Sequence, residues 1–220
     1  MKKLLAILLA AMMLLSLVAC GGSNEPEAPE NETPATDAPE NETPETDAPA
    51  VELAYKNAEE LLSQIYNGYN ESVAEEFQIW AMGGNIYNFD TIKEGSPATF
   101  VPTSDEDYNT HFGYPAADAG KIDDAASMYH AMNVNIFNCY AVHFANSADV
   151  DAMVETLKEN ILARHWECGH PERLYIVKVP GDYLVVTWGV VSSGGVAQIF
   201  GEKIPSLVEG ATIVVDIPLI

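Results

Sequence analysis

The sequence predicts an α+β fold for the chain beyond residue 50. From residue 134 onward, runs of β-branched and aromatic residues alternate with helical apolar spacing, in the order strand, helix, strand, strand, helix, strand. Pro180-Gly181-Asp182 joins the middle strands as a hairpin, because proline sets the first turn dihedral and glycine tolerates the positive one that follows. A hairpin between two crossover helices predicts a ferredoxin-like βαββαβ arrangement over residues 134–218, with both helices on one face of an antiparallel sheet.

Each C-terminal element has its own pattern. The run over residues 134–144 is apolar on nearly both sides, which indicates a central strand. A helix capped at Asn146 or Ser147 follows, and a second helix capped at Ser192 or Ser193 ends or kinks at Pro205. The apolar positions of these helices are Val150, Met153, Val154, Leu157 and Ile161, and Val196, Ile199, Phe200 and Ile204. The remaining strands are predicted over residues 173–179, 183–191 and 212–217.

The residues before 134 predict a helical and irregular N-terminal extension. Apolar spacing predicts one helix from Ala54 to a stop at Asn67-Gly68, and a short helix over residues 122–132. Residues 77–80 and 85–89 are predicted strands, and 102–114 reads as irregular. The alternative is a different α+β layer structure that uses the strands near Trp80.

The first twenty residues have the pattern of a lipoprotein signal peptide. Lysines at positions 2 and 3 precede an uncharged apolar run over residues 4–15. This run is shorter than the roughly 20 residues of a membrane span and matches the apolar region of a secretory signal. Leu17-Val18-Ala19 before Cys20 resembles the lipobox of lipoproteins, which implies cleavage after residue 19 and diacylglycerol and fatty acyl chains on Cys20. The alternative is an ordinary signal peptide with a chance cysteine.

Residues 20–50 are predicted to form a disordered acidic tether that begins with the lipidated cysteine. Residues 21–50 hold nine of the 33 acidic residues of the chain and no lysine or arginine, and APENETPATD at 28–37 returns as APENETPETD at 38–47. Such a repeat has nothing apolar to bury, and proline and like charges keep it extended. We therefore expect a signal peptide over residues 1–19, this tether, and a single extracytoplasmic domain over 51–220.

Charge excludes one class of partner. The chain has 33 acidic and 10 basic side chains and a net charge of -23, whereas nucleic-acid binding through a basic surface needs clustered lysine and arginine. The hydrophobic content of 48% excludes a wholly disordered chain.

Residues 113–189 resemble a domain family of unknown activity found in Gram-positive lipoproteins. The residues that carry the resemblance are Tyr114, Ile122-Asp123-Asp124, Met132-Asn133-Val134, Asp149-Val150-Asp151, Arg164-His165-Trp166-Glu167-Cys168 and the strand 183–188. The resemblance implies a lipid-anchored lipoprotein at the extracytoplasmic face of the cell membrane, and it brings no assigned activity.

Three residues form a candidate metal cluster. His165, Cys168 and His170 are nitrogen and sulfur donors of the kinds that zinc prefers. A closed zinc site needs four ligands and a catalytic one needs three, so the alternative is a solvated loop whose Trp166 packs on the core. Cys139 is predicted to be a buried free thiol, the alternative being a disulfide with Cys168.

Four aromatic residues are candidate ligand contacts. Trp80, Tyr108, Phe112 and Tyr114 lie among flexible polar residues, and aromatic faces near carboxylates bind sugars or peptidoglycan fragments. The alternative is that they fill the core. The acidic loop 104–109 spaces its oxygens as a calcium loop does, but Thr110 and Ala116 stand where an EF-hand needs glycine and glutamate.

The sequence favours a non-catalytic binding or accessory module at the cell surface. It contains no GxSxG, HExxH, CxxC or Walker motif. We expect no cofactor beyond the lipid on Cys20, and we expect two partners, the membrane through the anchor and a protein or cell-wall ligand. The alternative is a small extracytoplasmic metal-binding protein or enzyme that uses the His165, Cys168 and His170 cluster or the acidic loops.

Overall fold

The computed structural model describes residues 53–167, 169–192 and 194–219, which build an eight-stranded sheet with helices on both faces. The whole predicted signal peptide and tether, residues 1–50 with the lipobox Leu17-Val18-Ala19 and Cys20, lie outside the described residues, as do Cys168 and Ser193. Of the helices in the described ranges, none is long and apolar enough to cross a bilayer.

The sheet is antiparallel at every pairing of neighbouring strands. Its strands are β1 (Ala81–Gly83), β2 (Lys93–Glu94), β3 (Ala98–Thr99), β4 (Ile122–His130), β5 (Phe137–Phe144), β6 (Arg173–Val179), β7 (Tyr183–Gly189) and β8 (Thr212–Pro218). They follow the spatial order β2-β1-β4-β5-β7-β6-β8, and β3 pairs with β4 outside this path.

Four α-helices cover the two faces of the sheet. They are α1 (Ala58–Ser72), α2 (Glu106–Phe112), α3 (Ala148–Ala163) and α4 (Ala197–Leu207), and short 3₁₀ turns occur at Glu75–Phe77, Phe89–Thr91 and Ala116–Lys121. Helices α1 and α4 pack on one face, and α2 and α3 pack on the other. Side chains alternate along a strand, so neighbours such as Cys139 and Tyr140 belong to different cores.

The predicted α+β class and the order of the C-terminal elements are confirmed. From residue 134 onward the chain forms β5, α3, β6, β7, α4 and β8. The β6–β7 hairpin turns at the predicted site, where Gly181 has a φ of 78° and Asp182 a φ of 63°. Glycine suits this turn because an L side chain is strained at positive φ. Cys139 is a buried free thiol, as predicted.

The ferredoxin-like arrangement over residues 134–218 is not confirmed. That arrangement has both helices on one face, whereas α3 and α4 lie on opposite faces. Strand β4 occupies the outer edge of β5, and the last strand, β8, pairs with β6 at the far end of the sheet. Strands β5 and β6 therefore flank β7, and β7 and β8 flank β6.

Five N-terminal predictions are wrong. Residues 122–130 form β4 and not a helix, because a strand covered on both faces carries apolar residues on both sides and its alternation is hidden. Helix α1 continues past Gly68 to Ser72 because its last turn buries Tyr69 against Phe200. Residues 77–80 and 85–89 hold loops and 3₁₀ turns, and the segment predicted as irregular contains α2.

Candidate functional site

The predicted metal cluster lies on an open loop after α3. His165 and His170 are both exposed, and the Nδ1 of His170 lies 2.7 Å from the carbonyl oxygen of Pro171. Trp166 packs on the core, with its ring 5.8 Å from the ring of Trp188. Cys168 lies outside the described residues, and among those described no group of three or more histidine, cysteine, aspartate or glutamate side chains is placed to hold a metal ion. Zinc binding by this loop stays a prediction.

The four candidate aromatic residues divide between core and surface. Tyr108, Phe112 and Tyr114 are buried between α2, α3 and the sheet, where Phe112 stacks on Tyr140 at 4.1 Å. Burial removes these three from direct contact with a surface ligand. Trp80 is 60% exposed and lines a groove of about 390 Å³ together with the exposed Met132.

The predicted acidic loop 104–109 runs into the first turn of α2, which directs one carboxylate inward. Asp107 accepts hydrogen bonds from the backbone N–H of Thr103 at 2.6 Å and from Nδ2 of Asn85 at 2.8 Å. Burial acts to raise the pKa of the Asp107 carboxyl, but these hydrogen bonds outweigh it and hold the pKa below its ordinary value. Asp107 thus anchors the loop that precedes α2.

A second group of polar side chains gathers where β4 and β7 end and β5 begins. Tyr129, Asn138 and Trp188 are cross-strand neighbours in register on β4, β5 and β7, so they point to the same face. His111 of α2 lies over this row, and its carbonyl oxygen accepts a hydrogen bond of 3.3 Å from Asn138 Nδ2. Arg164, directly after α3, reaches the same place. These five residues are the Arg164 cluster.

Most of the unpartnered buried polar atoms of the described chain belong to the Arg164 cluster. Five buried side-chain atoms lack a hydrogen-bond partner among the described residues, and four of them are His111 Nε2, Tyr129 Oη, Arg164 Nη1 and Trp188 Nε1. Such an atom costs about 1–3 kcal/mol, and native proteins leave few of them. The cluster therefore offers unused hydrogen-bonding capacity from four side chains at one end of the sheet.

Arg164 is a half-buried cation without an acidic partner. Among the described residues, no carboxylate forms an ion pair with it, whereas Arg173 pairs with Asp216. Its guanidinium carbon lies 4.9 Å from the ring centroid of Trp166 and 5.8 Å from that of Trp188, and its Nη2 donates to the carbonyl oxygen of Thr110. Burial lowers the pKa of Arg164, but a guanidinium remains charged in a protein.

His111 is a neutral member of the cluster at pH 7. Burial lowers the pKa of His111 to about 4, the charge of Arg164 lowers it further, and Asp107 acts in the opposite direction. The neutral ring packs against Tyr87 at 5.1 Å and Phe100 at 5.2 Å. Its Nε2 can donate or accept a hydrogen bond, depending on the tautomer.

The cluster lies close beneath the surface. Tyr87, which covers His111, is 55% exposed and belongs to the loop between β1 and β2. On the other side, Arg164 lines a surface pocket of about 560 Å³ with Thr110 and Asn160. A ligand thus has a short path to the guanidinium.

The fold and the cluster define a small α+β domain with a polar, positively charged site between helices α2 and α3 and the sheet. Comparison of the chain with protein-family models, with curated proteins and with solved structures gives no match. The chemistry of the site itself carries the functional argument.

Proposed function

We propose that the chain is a lipid-anchored extracytoplasmic lipoprotein whose α+β domain is a non-catalytic binding module, with the Arg164 cluster as its ligand site. One observation carries the binding part: four side chains at one end of the sheet each hold an unpartnered buried polar atom, and one of them, Arg164, forms no ion pair with a described carboxylate. A half-buried charge without a partner carries part of the desolvation cost of a buried ion. A ligand that completes these hydrogen bonds offsets that cost.

The anchoring part follows from the leader sequence. The positive start, the short apolar run and Leu17-Val18-Ala19-Cys20 occur in the order that lipoprotein processing needs. Several acyl chains on Cys20 bind a bilayer firmly, because each buried CH₂ contributes about 0.8 kcal/mol. Residues 20–50 then space the domain from the membrane.

Detergent phase partitioning tests the anchor. We expect the full chain, expressed in a Gram-positive host, to enter the detergent phase with its leader removed and acyl mass on Cys20. The matched control is Cys20→Ala, which keeps the apolar run but has no thiol to acylate, so we expect it to carry no acyl mass. Wild-type protein that stays in the aqueous phase with its leader uncut contradicts the proposal.

Thermal unfolding tests the binding site. The full chain is heated with and without a dialysable small-molecule extract of the cell envelope, because a ligand that binds only the native state raises the melting temperature. We expect a rise for wild type and for Arg173→Gln, whose arginine pairs with Asp216 at the surface, and no rise for Arg164→Gln. No rise in any variant, or an equal rise in all three, rules out the Arg164 cluster as the site.

A further inference from the structure

We infer that the group bound at the Arg164 cluster is a carboxylate. This inference rests on the proposed binding function and names the chemistry of its ligand. It follows from the charge of the cluster, from the kinds of hydrogen-bonding atoms left unused, and from the aromatic rings around them.

The unused atoms favour an acceptor group with a negative charge. Arg164 Nη1 and Trp188 Nε1 can only donate, and Tyr129 Oη and His111 Nε2 can donate as well. Each of these atoms can therefore pair with a ligand acceptor, whereas a ligand group that brings only donors leaves Arg164 Nη1 and Trp188 Nε1 unpaired. Hydrogen bonds between a guanidinium and an oxyanion are also the stronger kind, because both charges contribute.

The balance of charge favours a monoanion. Arg164 is the one cationic side chain of the cluster, since His111 is neutral. The nearest acid that acts on the cluster, Asp107, already accepts hydrogen bonds from Asn85 and Thr103. One positive charge matches one carboxylate, and a phosphate dianion would leave an uncompensated buried charge in a chain of net charge -23.

The guanidinium geometry gives the carboxylate a specific orientation. Nη2 of Arg164 donates to Thr110, so Nη1 is the terminal nitrogen left for a ligand. One carboxylate oxygen on Nη1 leaves the second oxygen for Trp188 Nε1, whose ring centroid is 5.8 Å from the guanidinium carbon. The ring of Trp166 lies beside the guanidinium and that of Tyr87 beside His111, so an aromatic ring on either side of the cluster offers apolar contact to the carbon body of a ligand.

Binding requires a small movement of Tyr87 or Arg164, which close the cluster to solvent. The four unpartnered atoms are closed to solvent, so the exposed Tyr87 ring must shift from His111, or Arg164 must turn toward its surface pocket. Both groups lie at the surface end of the cluster. The aromatic floor of the site, built on β5 and β7, stays in place.

The test is a titration of the full chain in detergent micelles with sodium benzoate, sodium acetate and inorganic phosphate. The readout is the indole N–H resonance of Trp188 by NMR, which reports directly on the proposed hydrogen bond. We expect benzoate and acetate to move this resonance in wild type and in Arg173→Gln. In Arg164→Gln we expect at least about tenfold weaker binding, because a charge-assisted hydrogen bond is lost. Tyr129→Phe removes only one hydroxyl, keeps the ring packing, and should weaken binding by a smaller factor.

Two outcomes overturn the inference. If phosphate binds more tightly than either carboxylate, the site selects another anion. If no carboxylate moves the Trp188 resonance, carboxylate binding is wrong, and an Arg164-dependent rise in melting temperature with the envelope extract would still leave the binding function standing. Where benzoate or acetate does bind, a tripeptide with a free or an amidated carboxyl terminus separates the sources of the carboxylate. Binding of the free form and not of the amidated form assigns a peptide terminus, and binding of benzoate and acetate without either peptide assigns a free acid.

Discussion

The two faces of the sheet differ in what they bury, although the same strands serve both. The face covered by α1 and α4 buries an almost continuous apolar core, which includes Leu61, Leu62, Ile65, Phe200 and Ile204. The face covered by α2 and α3 buries an apolar core of similar extent and also the Arg164 cluster at one end. Both cores therefore stabilise the fold, whereas most of the unpartnered buried polar atoms lie on the face covered by α2 and α3.

Close packing shows how little room the α1 and α4 face leaves. A Cβ at Gly201 of α4 would lie 2.3 Å from the Cδ2 of Tyr175 on β6, so only glycine allows this approach of helix to sheet. The polar groups here are mostly satisfied: the Thr187 hydroxyl, for example, donates to the carbonyl oxygen of Asn138 at 2.9 Å. Tyr175 Oη is the one unpartnered buried side-chain atom on this face in the described chain.

The largest effect is expected from removing a large side chain of the α1 and α4 face. Phe200 is fully buried, with its ring 5.0 Å from Tyr69 and 5.1 Å from Phe137. Phe200→Ala should lower the free energy of unfolding by about 3–5 kcal/mol, because it removes apolar burial and leaves a cavity. Urea denaturation measures this change.

The matched control lies on the same helix. Gln198 of α4 is exposed, and Gln198→Ala should change the free energy of unfolding by no more than about 0.5 kcal/mol. A loss below about 1 kcal/mol for Phe200→Ala would mean that α4 contributes little packing, and the contrast between the two faces would then be wrong.

The sequence predicted the C-terminal half of this fold well because its elements carry local signals. The helix over Ala148–Ala163 has apolar residues at regular spacing. The β6–β7 hairpin contains Pro180-Gly181-Asp182, a sequence typical of a tight turn. The sheet order depends on a different kind of information. Because β4 pairs with the outer edge of β5, that edge is not open to β8, which pairs with β6 instead. The residues of β8 alone do not indicate this pairing.

The candidate site was harder to predict because its residues are far apart in the chain. His111, Asn138, Arg164 and Trp188 meet only through the register of β5 and β7 and the ends of α2 and α3. One signal was present: Asn138 is a polar residue near the start of a mostly apolar strand, and a buried polar side chain needs a partner. The sequence pointed instead to His165, Cys168 and His170, because these potential metal ligands are neighbours in the chain.

An intermediate effect is expected from the titration of His111. The pKa of His111 is about 4 in the folded chain and about 6.5 when unfolded, so below pH 6.5 the unfolded state binds a proton that the native state refuses. Stability is therefore lost as pH falls from about 7 toward 4, and the loss levels off below the folded pKa. Between about pH 7.5 and pH 5.5 this group should cost about 1.3 kcal/mol.

The variant His111→Gln isolates that contribution. We expect the difference in unfolding free energy between wild type and His111→Gln to change by about 1.3 kcal/mol over this interval, measured by urea denaturation at both pH values. The many carboxylates of the chain titrate alike in both proteins and cancel in the difference. A difference that does not change with pH would show that His111 is accessible and ordinary, and that the α2 and α3 face is not closed over the cluster.

The smallest effect on stability is expected from Arg164→Met, although this change removes the charge on which the binding proposals depend. Methionine keeps apolar contact with Trp166 and Trp188 and removes both the unpartnered Nη1 and its desolvation cost, against the loss of one hydrogen bond to Thr110. Replacing a buried ionic group by an apolar one of similar volume is often neutral or stabilising. We therefore expect a change within about 1 kcal/mol in urea denaturation without ligand. A loss of about 3 kcal/mol or more is the cost of breaking a satisfied buried pair, and it would show that Arg164 is held by the chain for stability and not kept free for a ligand.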